Sequence, residues 1–120
     1  MQKNAINPET YEDELLRGCA GILAGKKAER TVALNLAEVN SYFDYFIIAT
    51  GSSSIHCKSL ARDISKYMSA HGRKTRSKPD TNSSWIILDY DDIVLHIFTE
   101  DARDYYQLEK LWGDAVRVSL

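Results

Sequence analysis

The sequence predicts a single α/β domain with a mixed sheet of about five strands flanked by helices. Segments with the 3.6-residue periodicity of amphipathic helices alternate with short runs rich in β-branched residues, in the order α-β-β-α-β-β-β-α. The 120 residues, 44% of them hydrophobic, suffice for one compact core. We therefore assign residues 1–120 to one domain.

Two amphipathic helices are predicted in the first 72 residues. Asn7-Pro8 supplies an N-cap and a proline at the first helical position, and Gly25 with Lys26-Lys27 marks the end of the first helix. The second helix follows the turn Gly51–Ser54, in which a serine is the expected N-cap, and it stops at Gly72. The predicted apolar faces are Tyr11, Leu15, Leu16, Cys19, Ile22 and Leu23 on the first helix, and Cys57, Leu60, Ala61, Ile64, Tyr67 and Met68 on the second.

Three strands are predicted in the segments that precede and follow the second helix. Thr31–Leu36 alternates, with Val32, Leu34 and Leu36 on one face, whereas Tyr45–Thr50 is nearly all apolar, as in a central strand covered on both faces. Arg73–Lys78 is a short polar strand or loop. As a strand, it would make Tyr45–Ser77 a right-handed β-α-β crossover with parallel strands.

The C-terminal third predicts a hairpin that runs into a helix. Trp85–Leu88 and Ile93–Phe98 flank the polar turn Tyr90-Asp91-Asp92. The helical segment that follows carries the aromatic and apolar residues Tyr105, Tyr106, Leu108, Leu111 and Trp112. Tyr105 and Tyr106 point about 100° apart on a helix, so we expect Tyr106 to be exposed and Tyr105 to be buried.

Composition excludes some classes of protein. The net charge of −2 gives no global attraction to RNA or to anionic lipid, and no stretch of eighteen apolar residues exists. The polar, acidic N-terminus lacks the pattern of a signal or transit peptide, so we expect a cytoplasmic protein. Cys19 and Cys57 lie among apolar neighbours and are expected to be reduced thiols in the core.

Three motifs have both a chemical and a structural interpretation. The turn Gly51–Ser54 could hold a phosphate, but it lacks a P-loop lysine and fits a helix cap better. Asp89, Asp91 and Asp92 could bind a hard cation, yet aspartates are frequent in turns because they bond their own backbone. His96, inside a strand, is expected to be a structural histidine with satisfied hydrogen bonds.

Charge is unevenly distributed. From Asp89 to Asp114 there are eight acidic residues against two basic ones, Arg103 and Lys110, and the aromatics among them suit a surface for a basic protein. The single basic patch consists of Arg73, Lys74, Arg76 and Lys78, to which Lys26, Lys27 and Arg30 add charge. It lacks interleaved aromatics and indicates at most a minor contact with RNA phosphates.

Two long segments resemble the ribosomal silencing factor family, also called Iojap-like proteins. They are DYFIIATGSSSIHCKSLA, residues Asp44–Ala61, and the stretch from Trp85 to Trp112. The resemblance implies a fold related to nucleotidyltransferases but without their catalytic carboxylates, and hence no enzymatic activity and no cofactor. It also implies binding to the large ribosomal subunit through ribosomal protein fourteen, a steric block to joining of the small subunit, lower translation when nutrients are scarce, and homodimers.

The resemblance and the local aromatic and acidic chemistry together predict the binding residues. Trp85, Tyr106 and Leu108 are the expected apolar anchors. Asp89, Glu100 and Glu109 are the expected polar contacts. The chain departs from the family at Asp91, where glycine is usual, and at Lys78-Pro79, where Glu-Gly is frequent. These departures predict a different turn type and altered contacts of the preceding loop.

Two other functions are consistent with the sequence. A divalent-metal nucleotidyltransferase would hold phosphates at Gly51-Ser52, although the following helix has only Asp63 where a pair of carboxylates is needed. An RNA-binding module would use Arg73–Lys78. Binding of nucleotide with Mg²⁺ would favour the first, and salt-sensitive binding to protein-free rRNA would favour the second.

Overall fold

The computed structural model describes residues 11–40 and 42–119, so the predicted helix start at Asn7-Pro8 lies outside the described residues. The elements are α1 (Tyr11–Gly25), β1 (Glu29–Asn35), β2 (Tyr45–Gly51), α2 (Ser54–Ala70), β3 (Trp85–Asp89), β4 (Ile93–Thr99), α3 (Glu100–Tyr106), α4 (Leu108–Leu111) and β5 (Val116–Val118). The predicted α/β class with a mixed five-stranded sheet is confirmed.

The five strands form one sheet in the order β3-β4-β2-β1-β5. β2 is buried along its whole length at the centre, as its apolar run predicted. It pairs in parallel with β4, Tyr45 opposite Ile93, and all other neighbours are antiparallel. The prediction that Arg73–Lys78 forms the parallel partner strand of β2 was wrong. That segment is a polar loop, whereas the apolar β4 can be buried on both faces beside β2.

Two further features of the C-terminal third were not predicted. The fifth strand is β5, only three residues long, which pairs with β1. The helical segment after the hairpin is also broken, because Gln107 adopts a left-handed φ of 47° between α3 and α4. The break changes the direction of the last helical turn and therefore which of its side chains face the sheet.

The sheet carries a separate apolar cluster on each face. Alternation along β2 and β4 sends Ile47 and Ile97 to the face covered by α1 and α2, and Phe46 and Phe98 to the face covered by α3 and α4. The first face is covered by two helices of 15 and 17 residues, the second by helices of 7 and 4 residues. The second face is consequently only partly covered.

The helix ends follow local chemistry. Ser53 caps α2 by accepting a hydrogen bond from the backbone N–H of His56 at 3.0 Å. At the other end, Gly72 has a left-handed φ of 76°, and the N–H of Arg73 reaches the carbonyl of Met68, the Schellman arrangement. α1 ends at Gly25 as predicted, but its left-handed residue is Lys27.

The apolar helix faces and the two thiols lie where the sequence predicted. Leu15, Leu16, Cys19 and Leu23 of α1, and Cys57, Leu60, Ala61, Ile64 and Met68 of α2, are buried. Both cysteines are free, and burial raises the pKa of Cys19 to about 12, so it is protonated at neutral pH. A methyl group on Gly51 would lie 2.6 Å from Sγ of Cys57, so this close approach requires glycine.

Across the part of the chain that the structure describes, no helix is both long and apolar enough to cross a membrane.

Candidate protein-binding surface

The partly covered face of the sheet exposes apolar side chains above β3. Trp85, Ile87 and Asp89 point to this face by strand alternation, and Ile87 lies opposite His96 of β4. Tyr105 and Tyr106 at the end of α3 are exposed as well. We call the side chains of Trp85, Ile87, Tyr105 and Tyr106 the tryptophan surface. Apolar groups gathered in this way are typical of interaction sites.

Trp85 is the centre of an aromatic cluster. Its ring stacks on Phe98 with centroids 5.0 Å apart and contacts Tyr106 at 4.8 Å. Its indole N–H donates to Nδ1 of His96 at 3.0 Å. The contacts to Phe98, Tyr106 and His96 hold the indole in place, while the side chain remains half-buried and accessible to solvent.

Both tyrosines at the end of α3 are exposed, 81% for Tyr105 and 48% for Tyr106. The expected exposure of Tyr106 is confirmed, but the expectation that Tyr105 is buried was wrong. The reason is that α3 packs on the sheet through Ala102 and Arg103, so the residue between Asp104 and Tyr106 points outward. The two tyrosine rings meet edge to face with centroids 5.0 Å apart and form one continuous patch.

The two predicted acidic contacts Asp89 and Glu100 lie at opposite ends of the hairpin. Glu100 is exposed in the first turn of α3, and the hairpin brings the preceding residue, Thr99, against Ser84. Asp89 ends β3, four residues from Trp85, which corresponds to roughly 13 Å along an extended strand. Only Glu100 therefore adjoins the tryptophan surface at the Trp85 end.

Glu109 is half-buried and is held in place by a buried arginine. Arg103 has a side chain only 2% exposed, and its guanidinium bonds Glu109 at 2.8 Å and the hydroxyl of Thr50 at 2.8 Å. Burial raises the pKa of Glu109, but the hydrogen bonds and charge of Arg103 outweigh this and lower it overall. Glu109 thus has an intramolecular structural role, whatever else it contacts.

Leu108 was predicted as an apolar anchor, but its side chain is buried, only 6% exposed. The break at Gln107 turns Leu108 towards the cluster that contains Phe46 and Phe98. The leucine that α4 exposes is Leu111, at 76%. Leu108 therefore supports the surface from beneath.

The aspartates of the hairpin turn have structural partners. Asp89 accepts the N–H of Asp91 at 2.9 Å, Asp92 pairs with Arg73, and Asp91 pairs with Arg76 at 3.4 Å. Asp91 has a φ of 85°, and the N–H of Asp92 reaches the carbonyl of Tyr90, so the turn is a γ-turn with positive φ. Asp91 thus adopts a positive φ, a conformation that glycine would adopt without strain.

The same ion pairs involve half of the basic patch. Arg73 and Arg76 neutralise hairpin aspartates, which leaves Lys74 and Lys78 exposed without a described salt bridge. Arg73 also donates to the carbonyl of Tyr90 at 2.9 Å. The loop is therefore fastened to the hairpin, and its capacity to attract phosphates is smaller than its sequence indicated.

The turn between β2 and α2 is closed by His56. The N–H of Ser52 donates to Nδ1 of His56 at 2.9 Å, so the proton lies on Nε2, which donates to the carbonyl of Lys26 at 2.7 Å. The backbone N–H that a phosphate would need at Ser52 is already used. Asp63, the lone carboxylate of the enzymatic alternative, pairs with Lys26 at 2.8 Å.

Among residues 11–40 and 42–119, no group of three or more His, Cys, Asp and Glu side chains is placed to hold a metal ion. The exposure of Ile87 and the bond between Trp85 and His96 were not predicted from the sequence. Alternation along β3 and β4 contains the signal for both, since it places Trp85, Ile87 and His96 on one face.

The fold and the surface define the class: a small mixed-sheet α/β domain with an exposed aromatic patch on a partly covered sheet face. The family model described as "Ribosomal silencing factor during starvation" matches residues 8–120. The ribosomal silencing factor of Halalkalibacterium halodurans is 37% identical over 108 residues, which cover 89% of this chain and 92% of that protein. The chain belongs to the ribosomal silencing factor family.

A structural and a more distant sequence relative agree with this assignment. A crystal structure of a protein from Chromobacterium violaceum superposes with a TM-score of 0.79 and 27% identity, covering 87% of this chain and 88% of that one. The mouse protein named "Mitochondrial assembly of ribosomal large subunit protein 1" is 34% identical over 77 residues, 59% of this chain and 33% of its own length. This chain is thus also similar to a protein named for the large ribosomal subunit.

Proposed function

We propose that this chain represses translation by binding the large ribosomal subunit through ribosomal protein fourteen and by blocking, sterically, the joining of the small subunit. It acts without forming or breaking a covalent bond, when nutrients are limiting. The family membership supports the ribosome as the target, and the name of the mouse relative supports the large subunit. The proposal places the protein in the cytoplasm, includes a homodimer, and requires no cofactor.

The observation that carries the proposal is the tryptophan surface. Trp85, Tyr106 and Ile87 are exposed or half-exposed on a sheet face that the short helices α3 and α4 leave partly uncovered. Clustered aromatics are the residues that most often dominate the energy of protein interfaces. The structure therefore offers a preformed apolar patch of the kind that a folded partner can cover.

Charge supports a basic partner. Glu100 and Asp101 are both exposed in the first turn of α3, directly after the strand on which Trp85 packs. Like-charged carboxylates beside an apolar patch repel acidic proteins and attract basic ones, which sets the rate and specificity of association. Asp89 provides a further carboxylate at the far end of β3. Lys74 and Lys78 remain available for a minor contact with rRNA.

The nucleotidyltransferase alternative gains no support from the geometry. Ser52 N–H is bound to His56, and Asp63 is bound to Lys26. A thermal-shift measurement with nucleoside triphosphates and Mg²⁺ tests it directly, because a ligand of the folded state raises the melting temperature. The proposed function predicts no shift.

The experiment that tests the proposed function is sedimentation of a lysate that contains the tagged protein, followed by crosslinking. We expect recovery with free large subunits, absence from translating ribosomes, and a crosslink from the tryptophan surface to ribosomal protein fourteen. Equal recovery on assembled ribosomes contradicts a joining block. A crosslink from Lys74 or Lys78 to rRNA alone would move the interface to the basic loop.

A further inference from the structure

His96 lies in the middle of β4, 5% exposed, on the face that supports the tryptophan surface. Its ring is surrounded by other rings: Phe46 meets it edge-on with centroids 4.5 Å apart, and Trp85 and Phe98 lie at 5.9 and 6.5 Å. These neighbours form an apolar environment. A hydrocarbon ring suits such surroundings chemically, because it has no polar atom to leave unpaired.

The hydrogen bonds of His96 are incomplete. Nδ1 accepts the indole N–H of Trp85, so Nδ1 carries no proton and the neutral ring is protonated at Nε2. Nε2 is buried and has no hydrogen-bond partner among the described residues. The expectation that His96 is a fully satisfied structural histidine was therefore only half right.

A comparison with His56 shows how different this is from an ordinary structural histidine. Both ring nitrogens of His56 are bonded, one to the N–H of Ser52 and the other to the carbonyl of Lys26. His56 therefore links the backbone of the turn after β2 to the backbone that follows α1. Among residues 11–40 and 42–119, the ring of His96 bonds no backbone group, and its one hydrogen bond leads to the side chain at the centre of the tryptophan surface.

Stability does not favour histidine at this position. A buried N–H without a partner destabilises the fold by an amount that an apolar ring of the same shape avoids. What histidine supplies, and phenylalanine does not, is an acceptor for the indole N–H. That acceptor limits rotation of a half-exposed tryptophan whose other contacts, to Phe98 and Tyr106, are with flat rings along which it can slide.

We propose that His96 is a positioning residue, which holds the Trp85 indole in the orientation that the binding partner meets. The inference rests on the proposed function of the tryptophan surface. A side chain that is ordered before binding avoids the entropy loss of immobilisation, so loss of the acceptor should weaken binding roughly two- to tenfold. Histidine at this position then improves binding, although its buried, unpaired Nε2–H lowers the stability of the fold.

Four variants separate a role of His96 in binding from a role in folding: His96→Phe, His96→Leu, His96→Asn and Trp85→Ala. Asparagine places a carbonyl oxygen near the position of Nδ1, whereas leucine has the same branched shape without an acceptor. For each we would measure the denaturant midpoint, the affinity of the folded protein for purified large subunits, and the ¹⁵N–¹H resonance of the Trp85 indole, identified by its loss in Trp85→Ala.

We expect the order of stability and the order of binding to be opposite. His96→Phe should unfold at an equal or higher denaturant concentration, yet bind roughly two- to tenfold more weakly, with a Trp85 indole N–H that exchanges faster with solvent. His96→Asn should be less stable than His96→Leu but bind more tightly. If the asparagine variant does not fold, the phenylalanine arm still decides.

The failures are distinguishable. If Trp85→Ala binds as tightly as the unmodified protein, the tryptophan surface is not the interface, and the proposed function of this surface and the role of His96 are both overturned. If Trp85→Ala binds weakly while His96→Phe binds normally, the surface stands and the positioning role is wrong. A His96→Phe variant that is clearly destabilised also overturns the inference, because histidine is then retained for folding.

Discussion

Replacement of Tyr106 by alanine should reduce both binding and stability. Tyr106 is 48% exposed, and its ring contacts Trp85 at 4.8 Å and Phe98 at 6.3 Å. A fully buried tyrosine removes roughly 200 Å² from water, so about 100 Å² is buried here. At about 25 cal/mol per Å² this is at most about 2.5 kcal/mol, of which alanine retains a part. We expect a loss of about 1–2 kcal/mol in the free energy of unfolding.

The effect of Tyr106→Ala on binding should be larger than the loss of stability alone would cause. Removal of an aromatic anchor at the centre of an interface costs about 1–3 kcal/mol, which is about ten- to a hundredfold in affinity. Affinity for large subunits is measured by sedimentation or pull-down at a temperature at which both proteins are folded, and stability by circular-dichroism melts. Tyr106→Phe is the matched control: it keeps the ring and should retain most of both quantities.

Tyr105→Ala provides the second comparison, because Tyr105 is 81% exposed and should contribute about 0.5 kcal/mol or less to stability. Normal affinity of Tyr106→Ala, with a melt shifted by the expected amount, would refute the reasoning that Tyr106 is an anchor. It would show that the ring serves only to pack against Trp85.

Three further predictions follow from buried and strained groups. Burial lowers the pKa of His96 from 6.5 to about 3, so the unfolded chain binds the additional proton between these values and stability falls as pH falls. Between pH 7 and pH 5 this should cost about 2 kcal/mol in denaturant titrations, and His96→Phe should lack that loss. Glu109→Ala leaves the Arg103 guanidinium buried without its carboxylate and should lower the free energy of unfolding by about 3 kcal/mol or more. Binding per folded molecule should stay unchanged. Weak binding by the folded variant would indicate that Glu109 contacts the partner. Asp91→Gly relieves a φ of 85° and should stabilise by about 0.5–1 kcal/mol, visible as a melting temperature raised by roughly 2–4 °C; a lower one would show that the Asp91–Arg76 pair matters more than strain.

Local patterns sufficed to predict most of the architecture. The amphipathic faces of α1 and α2, the buried run of β2 and the hairpin of β3 and β4 depend on periodicity over five or more residues, and periodicity is visible in one sequence. β5 has three residues and no period to detect. The pairing of β2 with β4, instead of with Arg73–Lys78, depends on which segment can be buried beside β2 in the folded molecule.

The candidate surface was predictable in its residue types but not in its geometry. Trp85 and Tyr106 were both predicted as anchors, and their rings do meet at 4.8 Å, while their role in binding stays a prediction. Leu108 was misplaced because Gln107, a residue with no obvious helix-breaking character, adopts a left-handed φ and rotates α4 towards the core. Glu109 has a structural role because Arg103 is buried. The sequence shows Arg103 only as an isolated basic residue in an acidic segment, which does not predict its burial.

The central claim is that this surface prevents joining of the ribosomal subunits. Light scattering of purified large and small subunits, mixed after the large subunit has been incubated with the protein, measures joining directly. We expect the unmodified protein to lower the amplitude of joining in proportion to its occupancy of large subunits, and Trp85→Ala to restore that amplitude. Full joining in the presence of saturating, bound protein would show that the protein does not block the joining of the subunits.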